Sequence, residues 1–142
     1  MVATRIEAEM RSAGLTQTPR RRAILVLLAQ CQRPMTAQAI HHAVVTAGER
    51  VGLTTIYRAL HRLTEAGLLH AFDTDDGRGY RYCGGRPHQH LVCDRCGRVT
   101  ECPPDVVALW LSQLREQTGF SPNAERLDLH GVCASCRSHR GA

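Results

Sequence analysis

Apolar residues in the first half of the chain recur at helical spacing, and turn residues break them into separate stripes. Ile24, Leu27, Leu28 and Cys31 form the first stripe. It is introduced by Thr18-Pro19, an N-cap hydroxyl followed by a proline at the first helical position. Pro34 ends it, Thr36 caps the next helix, and Ala37, Ile40, Val44 and Ala47 make a second stripe closed by Gly48. Thr54 opens a third helix with Ile56, Ala59, Leu60 and Leu63 on its core face and Gly67 as its stop. Two short helices, a turn and a third amphipathic helix predict a helix-turn-helix unit. Leu68-Leu69-His70-Ala71-Phe72 and Gly79-Tyr80-Arg81-Tyr82 then flank Asp73–Arg78, whose Asp76-Gly77 is strong turn chemistry. A hairpin after the third helix is the wing of a winged helix.

Periodicity breaks at Cys83-Gly84-Gly85-Arg86-Pro87, which reads as a hinge. Beyond it, short strands are expected at His90–Cys93, Val99–Glu101 and Glu125–His130, where Leu127 and Leu129 alternate with charge. Between them Pro103-Pro104-Asp105 opens a helix with Val107, Trp110, Leu111 and Leu114 on one face, stopped near Gly119. The expected fold class is α+β. A winged helix-turn-helix domain over 1–83 and a hinge over 84–87 precede a small α/β domain over 88–142.

Composition narrows the partners. With aromatics at only 4% of 142 residues, a large core is not expected, and a metal would help a small second domain hold together. No apolar run is long enough to span a bilayer, and Met1–Glu7 has no secretory apolar segment, so a cytoplasmic protein is expected. Eighteen basic residues, all arginine, stand against thirteen acidic ones, and a formal charge of +5 favours a polyanion. Arg20, Arg21 and Arg22 crowd the first turn of a helix, where cations oppose the helix dipole; phosphate contact would compensate. On the third helix, Thr55, Arg58 and Arg62 lie opposite the core stripe, with Tyr57 and His61 beside them. Arginine can read guanine edges in a major groove, while Thr and Tyr reach phosphates or thymine methyls.

The seven cysteines supply the chemistry. Cys93/Cys96 and Cys133/Cys136 are two Cys-x-x-Cys pairs, enough thiolates for a closed tetrahedral zinc site. In a reducing compartment two vicinal pairs favour metal ligation over disulfides. A second ligand run, Cys83-x4-His88-Gln89-His90, precedes the first pair. A catalytic zinc needs an open position and a general base, and no Asp or Glu accompanies the His-x-His, so an enzyme is not expected. Cys31 reads as core, His41, His42, His61 and His139 as surface residues, and Cys102 has no assigned role.

Gly14-Leu15-Thr16-Gln17-Thr18-Pro19-Arg20-Arg21-Arg22-Ala23-Ile24-Leu25 resembles the opening signature of the Fur family of bacterial metalloregulators. Gly52-Leu53-Thr54-Thr55-Ile56-Tyr57-Arg58-Ala59-Leu60 with Glu65-Ala66-Gly67-Leu68 resembles its recognition helix, and His88–Gly97 its metal signature. The resemblance runs from about Gly14 to Cys136. It implies a dimerisation role for the second domain and a homodimeric repressor that binds inverted-repeat operator DNA when loaded with metal. Thr54 joins the DNA-contacting set on this ground.

Cys83, shortly before the His-x-His, is similar to the zinc uptake regulator branch, which implies control of zinc-uptake genes; iron, nickel or peroxide is the alternative signal. His70 stands where similar zinc regulators often carry an aspartate. The implied regulatory set is His70, Cys83, His88 and His90, giving two zinc ions per chain with the four-cysteine site. A further metal site found in many relatives would fall on Gln89, Pro87, Ala108 and Glu125, and is expected here to be absent or degenerate, with His130 and Glu101 as nearby candidates; Glu101 is also the alternative fourth regulatory ligand should His70 not serve. Neither a membrane nor a small organic ligand is an expected partner.

Overall fold

The computed structural model describes residues 1–84, 88–122 and 127–139. The chain divides into two units, Met1–Arg86 and Pro87–Ala142.

In the first unit four helices surround one apolar cluster: α1 (Val2–Ser12), α2 (Pro19–Ala29), α3 (Ala37–Thr46) and α4 (Leu53–Glu65). Two of them start where the hydroxyls predict. Thr18 Oγ1 accepts the Arg21 N–H and Thr36 Oγ1 accepts the Ala39 N–H, each at 3.2 Å. Ile24 and Leu28, Ala37, Ile40 and Val44, and Ile56, Leu60 and Leu63 are all buried in that cluster. Truncating a side chain such as Leu60 to alanine would cost about 2–5 kcal/mol.

Three details depart from the sequence pattern. The helix α1 was not anticipated, although its Ile6 and Met10 are fully buried. Cys31 lies past the end of α2 and is only half-buried, its Sγ 3.4 Å from Met35 Sδ, so it is not a core helix residue. Ala47 is the exposed C-cap of α3 rather than part of its buried stripe.

The hairpin forms from β2 (Leu69–Thr74) and β3 (Gly77–Tyr82), longer at the turn than expected. A two-residue strand β1 (Met35–Thr36) adds to β3, giving the order β1-β3-β2. Its approach explains Gly79: a Cβ there would sit 2.7 Å from Pro34 Cβ.

The second unit is built on β4 (His90–Cys93), which pairs antiparallel with β5 (Val99–Glu101) and parallel with β6 (Asp128–Gly131). Helix α5 (Pro104–Thr118) ends on the left-handed Gly119, φ 71°, as the sequence predicts. A short α6 (Ala134–Ser138), also unanticipated, follows Cys133. The third strand starts at Asp128; Glu125 and Arg126, where it was expected to begin, lie outside the described residues, as does most of the expected hinge. On the helix face read as buried, Val107 is buried but Trp110 is 41% exposed.

Candidate metal centres and nucleic-acid face

The two Cys-x-x-Cys turns meet in the second unit. Cys93 ends β4 and Cys96 follows it in a turn closed by the Gly97 N–H on Cys93 O at 2.9 Å. Cys133 caps α6 and Cys136 lies within it. The four Sγ atoms all lie within 4.8 Å of one another, and Cys96 and Cys133 are 3.9 Å apart. A disulfide would need about 2.05 Å. A zinc ion at the usual thiolate distance of about 2.3 Å spaces its four sulfurs about 3.8 Å apart, so donor set and spacing both fit.

The electrostatics fit too. The Cys133 N–H donates to Cys93 Sγ at 3.3 Å. That bond foremost, with the N–H groups of Cys96 and Arg95, draws the Cys93 thiol down to about 6. Contact with Cys133, then burial and the other two thiols, pushes Cys136 up to about 12. Crowded thiols resist losing all their protons together, and a divalent cation is the group that lets every one ionise.

The other predicted ligands form one pair in each unit. In the first unit, His70 on β2 faces Arg81 across the hairpin. Cys83 follows β3 and is buried, its N–H on Leu68 O at 3.0 Å. The donor atoms of His70 and Cys83 lie within 4.8 Å of each other. In the second unit, His88 and His90 pack edge to face, ring centroids 4.5 Å apart, with donor atoms inside the same limit. His88 lies just before β4 and His90 opens it.

Two carboxylates flank this pair: Asp128, which the sequence pattern did not single out, and Glu101, which it offered as an alternative ligand. Asp128 Oδ1 lies 3.1 Å from Nδ1 of the fully buried His90, and Glu101 Oε1 lies 3.8 Å from His88 Nε2. Alternation about Leu127 and Leu129 marks Asp128 as facing away from them, but only the β4–β6 register sets it opposite His90. Cys102 is buried, and burial together with the Asp128 charge pushes its thiol up, so it is a neutral packing residue. Of the places considered for a further metal site, Pro87 and Glu125 lie outside the described residues.

The basic face lies in the first unit. A cleft of about 460 Å³ runs between the start of α2 and α4, lined by Thr18, Arg20, Arg21, Thr55, Arg58 and Arg62 among others. Arg21 is braced there by its Nη1 on Thr16 O at 2.9 Å. Arg22 is turned to Glu7 of α1 at 3.0 Å instead. Thr54 and Tyr57 sit on the exposed side of α4 outside this cleft, Tyr57 being 43% exposed. His61, which the sequence pattern sets beside the arginine face, also lines it, as does the N-cap Thr18, which was not among the residues expected to contact DNA.

Residues 12–130 match the model of the ferric uptake regulator family. The chain belongs to that family. It is 36% identical over 130 residues to the zinc uptake regulation protein of Mycobacterium tuberculosis, covering 91% of this chain and all of that one. The ferric uptake regulator of Pseudomonas aeruginosa, solved with manganese, is 32% identical, with a TM-score of 0.66 over 94% of this chain and 99% of that one. A zinc uptake regulator solved with zinc and DNA superposes with a TM-score of 0.71 over 99% of this chain and 95% of that one; at 24% identity it speaks for the fold. The fold is therefore the family's winged helix-turn-helix followed by a dimerisation domain. Family members are transcriptional regulators rather than enzymes, so this chain is a metal-binding, DNA-binding regulator. Among the described residues, no helix is long and apolar enough to cross a membrane.

Proposed function

We propose that this chain is a zinc-responsive repressor that binds inverted-repeat operator DNA as a zinc-loaded homodimer in the cytoplasm and controls zinc-uptake genes. The observation that carries this reading is the division of donors: His70 and Cys83 belong to the first unit, His88 and His90 to the second. Neither pair fills a tetrahedral shell, and together they make an S1N3 set suited to borderline-soft zinc. The likeness to a zinc uptake regulation protein supports the same choice. A regulator answering to iron or manganese is the second reading, favoured by the Pseudomonas aeruginosa relative. The buried thiol of Cys83 weighs against it, because thiolate favours zinc over ions that prefer oxygen.

In this reading Cys93, Cys96, Cys133 and Cys136 hold a structural zinc, the first of two per chain. It supplies the cross-link that fixes the β4 turn to α6, and the four thiolates close its shell. The regulatory set is His70, Cys83, His88 and His90. Joining the two pairs restricts how the DNA-binding unit is held, which raises the population matching operator half-sites. Thr54, Thr55, Tyr57, Arg58 and Arg62 would read the major groove while Arg20 and Arg21 hold phosphates. The second copy has a surface to meet: Val106, Leu109 and Trp110 of α5 are exposed, as are Leu91 and Leu129, neighbours across β4 and β6.

The test is operator affinity across zinc, iron(II), manganese and nickel at fixed salt. Zinc is expected to stimulate binding at the lowest free concentration. Stimulation by iron or manganese but not by zinc would overturn the reading.

A further inference from the structure

His90 is the one fully buried polar side chain among the described residues, and its environment dictates which ring nitrogen can face a metal. Parallel pairing of β4 and β6 sets Asp128 directly opposite it. Side chains paired across a sheet share a face, and here Nδ1 and Oδ1 come within 3.1 Å. The Asp128 side chain is 21% exposed, so its carboxylate also meets water. An ionised carboxylate can only accept, so the proton between them sits on Nδ1 of the imidazole. The lone pair of the neutral ring then belongs to Nε2.

We infer that Asp128 is a positioning residue for the regulatory metal: it fixes the tautomer and ring plane of His90 so that Nε2 is presented as a ligand. The inference rests on the split-site reading proposed above. A carboxylate behind a ligating imidazole makes it more basic and limits its rotation, and losing such a partner typically costs 10–100-fold in metal affinity. Glu101 does not serve His88 in the same way, because 3.8 Å is beyond hydrogen-bond reach. Asp128 is not one of the Cys-x-x-Cys residues, the nearest being Cys133 five positions on, so substituting it deletes no thiol of the structural site.

The test combines tautomer and affinity. Histidine-ring 15N spectra are recorded on the full chain after a mild chelator has removed exchangeable zinc, with His90 assigned by its absence in His90→Gln. The wild type is expected to show His90 protonated on Nδ1, and Asp128→Ala to lose that preference. Competition against a chromophoric chelator should show the exchangeable zinc bound about 10–100-fold more weakly in Asp128→Ala, with one tightly held zinc per chain retained. Asp128→Asn, whose amide oxygen still accepts, should keep the tautomer and show an intermediate loss; it decides the matter if the alanine variant does not fold. An Nε2-protonated His90 in the wild type, or wild-type zinc affinity in the variants, would overturn the inference while leaving the split site intact. A wild type that takes up no exchangeable zinc would overturn both.

Discussion

Thirteen hydrophobic side chains meet in one buried cluster in the first unit, contributed by all four of its helices and the strand that follows. The second unit buries Cys93, Val99, Cys102 and Val107 among its described residues, while Trp110, Leu109 and Val106 of its long helix stay exposed. One unit is held by apolar packing; the other has too little of it and gathers four thiols instead. The same contrast separates the two proposed metal sites. Four cysteines of one unit complete a shell unaided, whereas the histidines and Cys83 are dealt two to each unit. A closed site can only hold structure, and a divided site can report whether an ion has joined its halves.

Removing a structural ligand should break the contrast most forcefully. Cys93→Ser or Cys136→Ser should unfold the second unit and abolish dimers, since structural zinc in small domains contributes about 10–16 kcal/mol. The α1–α4 helical signal in circular dichroism should survive. A soluble, dimeric, metal-responsive Cys93→Ser protein would show that the second unit does not depend on its thiols.

The mirror experiment is Leu60→Ala. It should lower the denaturation midpoint of the first unit by the equivalent of about 2–5 kcal/mol and leave the tightly held zinc untouched. Loss of that zinc would mean the units do not divide their sources of stability as described.

Arg58→Ala and Tyr57→Ala should keep the fold and both zinc ions while weakening operator binding by about 1–3 kcal/mol per half-site, measured by fluorescence anisotropy. Unchanged affinity in both would move the reading face off α4.

A smaller effect is expected at the divided site. Cys83→Ser or His90→Ala should leave a folded dimer with one zinc per chain but remove the zinc-dependent part of operator binding, about 1–3 kcal/mol. His70→Ala should act in the same direction more mildly, with zinc affinity reduced modestly and its coupling to DNA reduced most. Full coupling in that variant would make His70 an ordinary strand residue.

Much of this was legible in the sequence where one residue decides a local structure. Thr18 and Thr36 cap helices, Gly119 ends one, and the cysteine spacing marks the thiol cluster; the hairpin turn falls on Asp75-Asp76, one residue before the Asp76-Gly77 pair that signalled it. What the sequence hid depends on partners distant along the chain. Helix α1 buries Ile6 and Met10, but two apolar contacts among charged neighbours make a weak stripe. Cys31 matched helical spacing, yet α2 ends before it and its sulfur meets Met35 instead. Asp128 acquires its role only through the parallel β4–β6 register, which no local pattern specifies.

The central claim, that zinc shared between the two donor pairs switches DNA binding, is tested most directly by one titration. Operator affinity is measured at fixed salt for wild-type protein carrying only its tightly held zinc, and again with the exchangeable zinc restored, zinc per chain being counted in both samples. The account predicts one zinc and weak binding in the first sample, then two zinc ions and roughly 5- to 150-fold tighter binding in the second. Protein with one zinc per chain that already binds the operator as tightly as protein with two would contradict it.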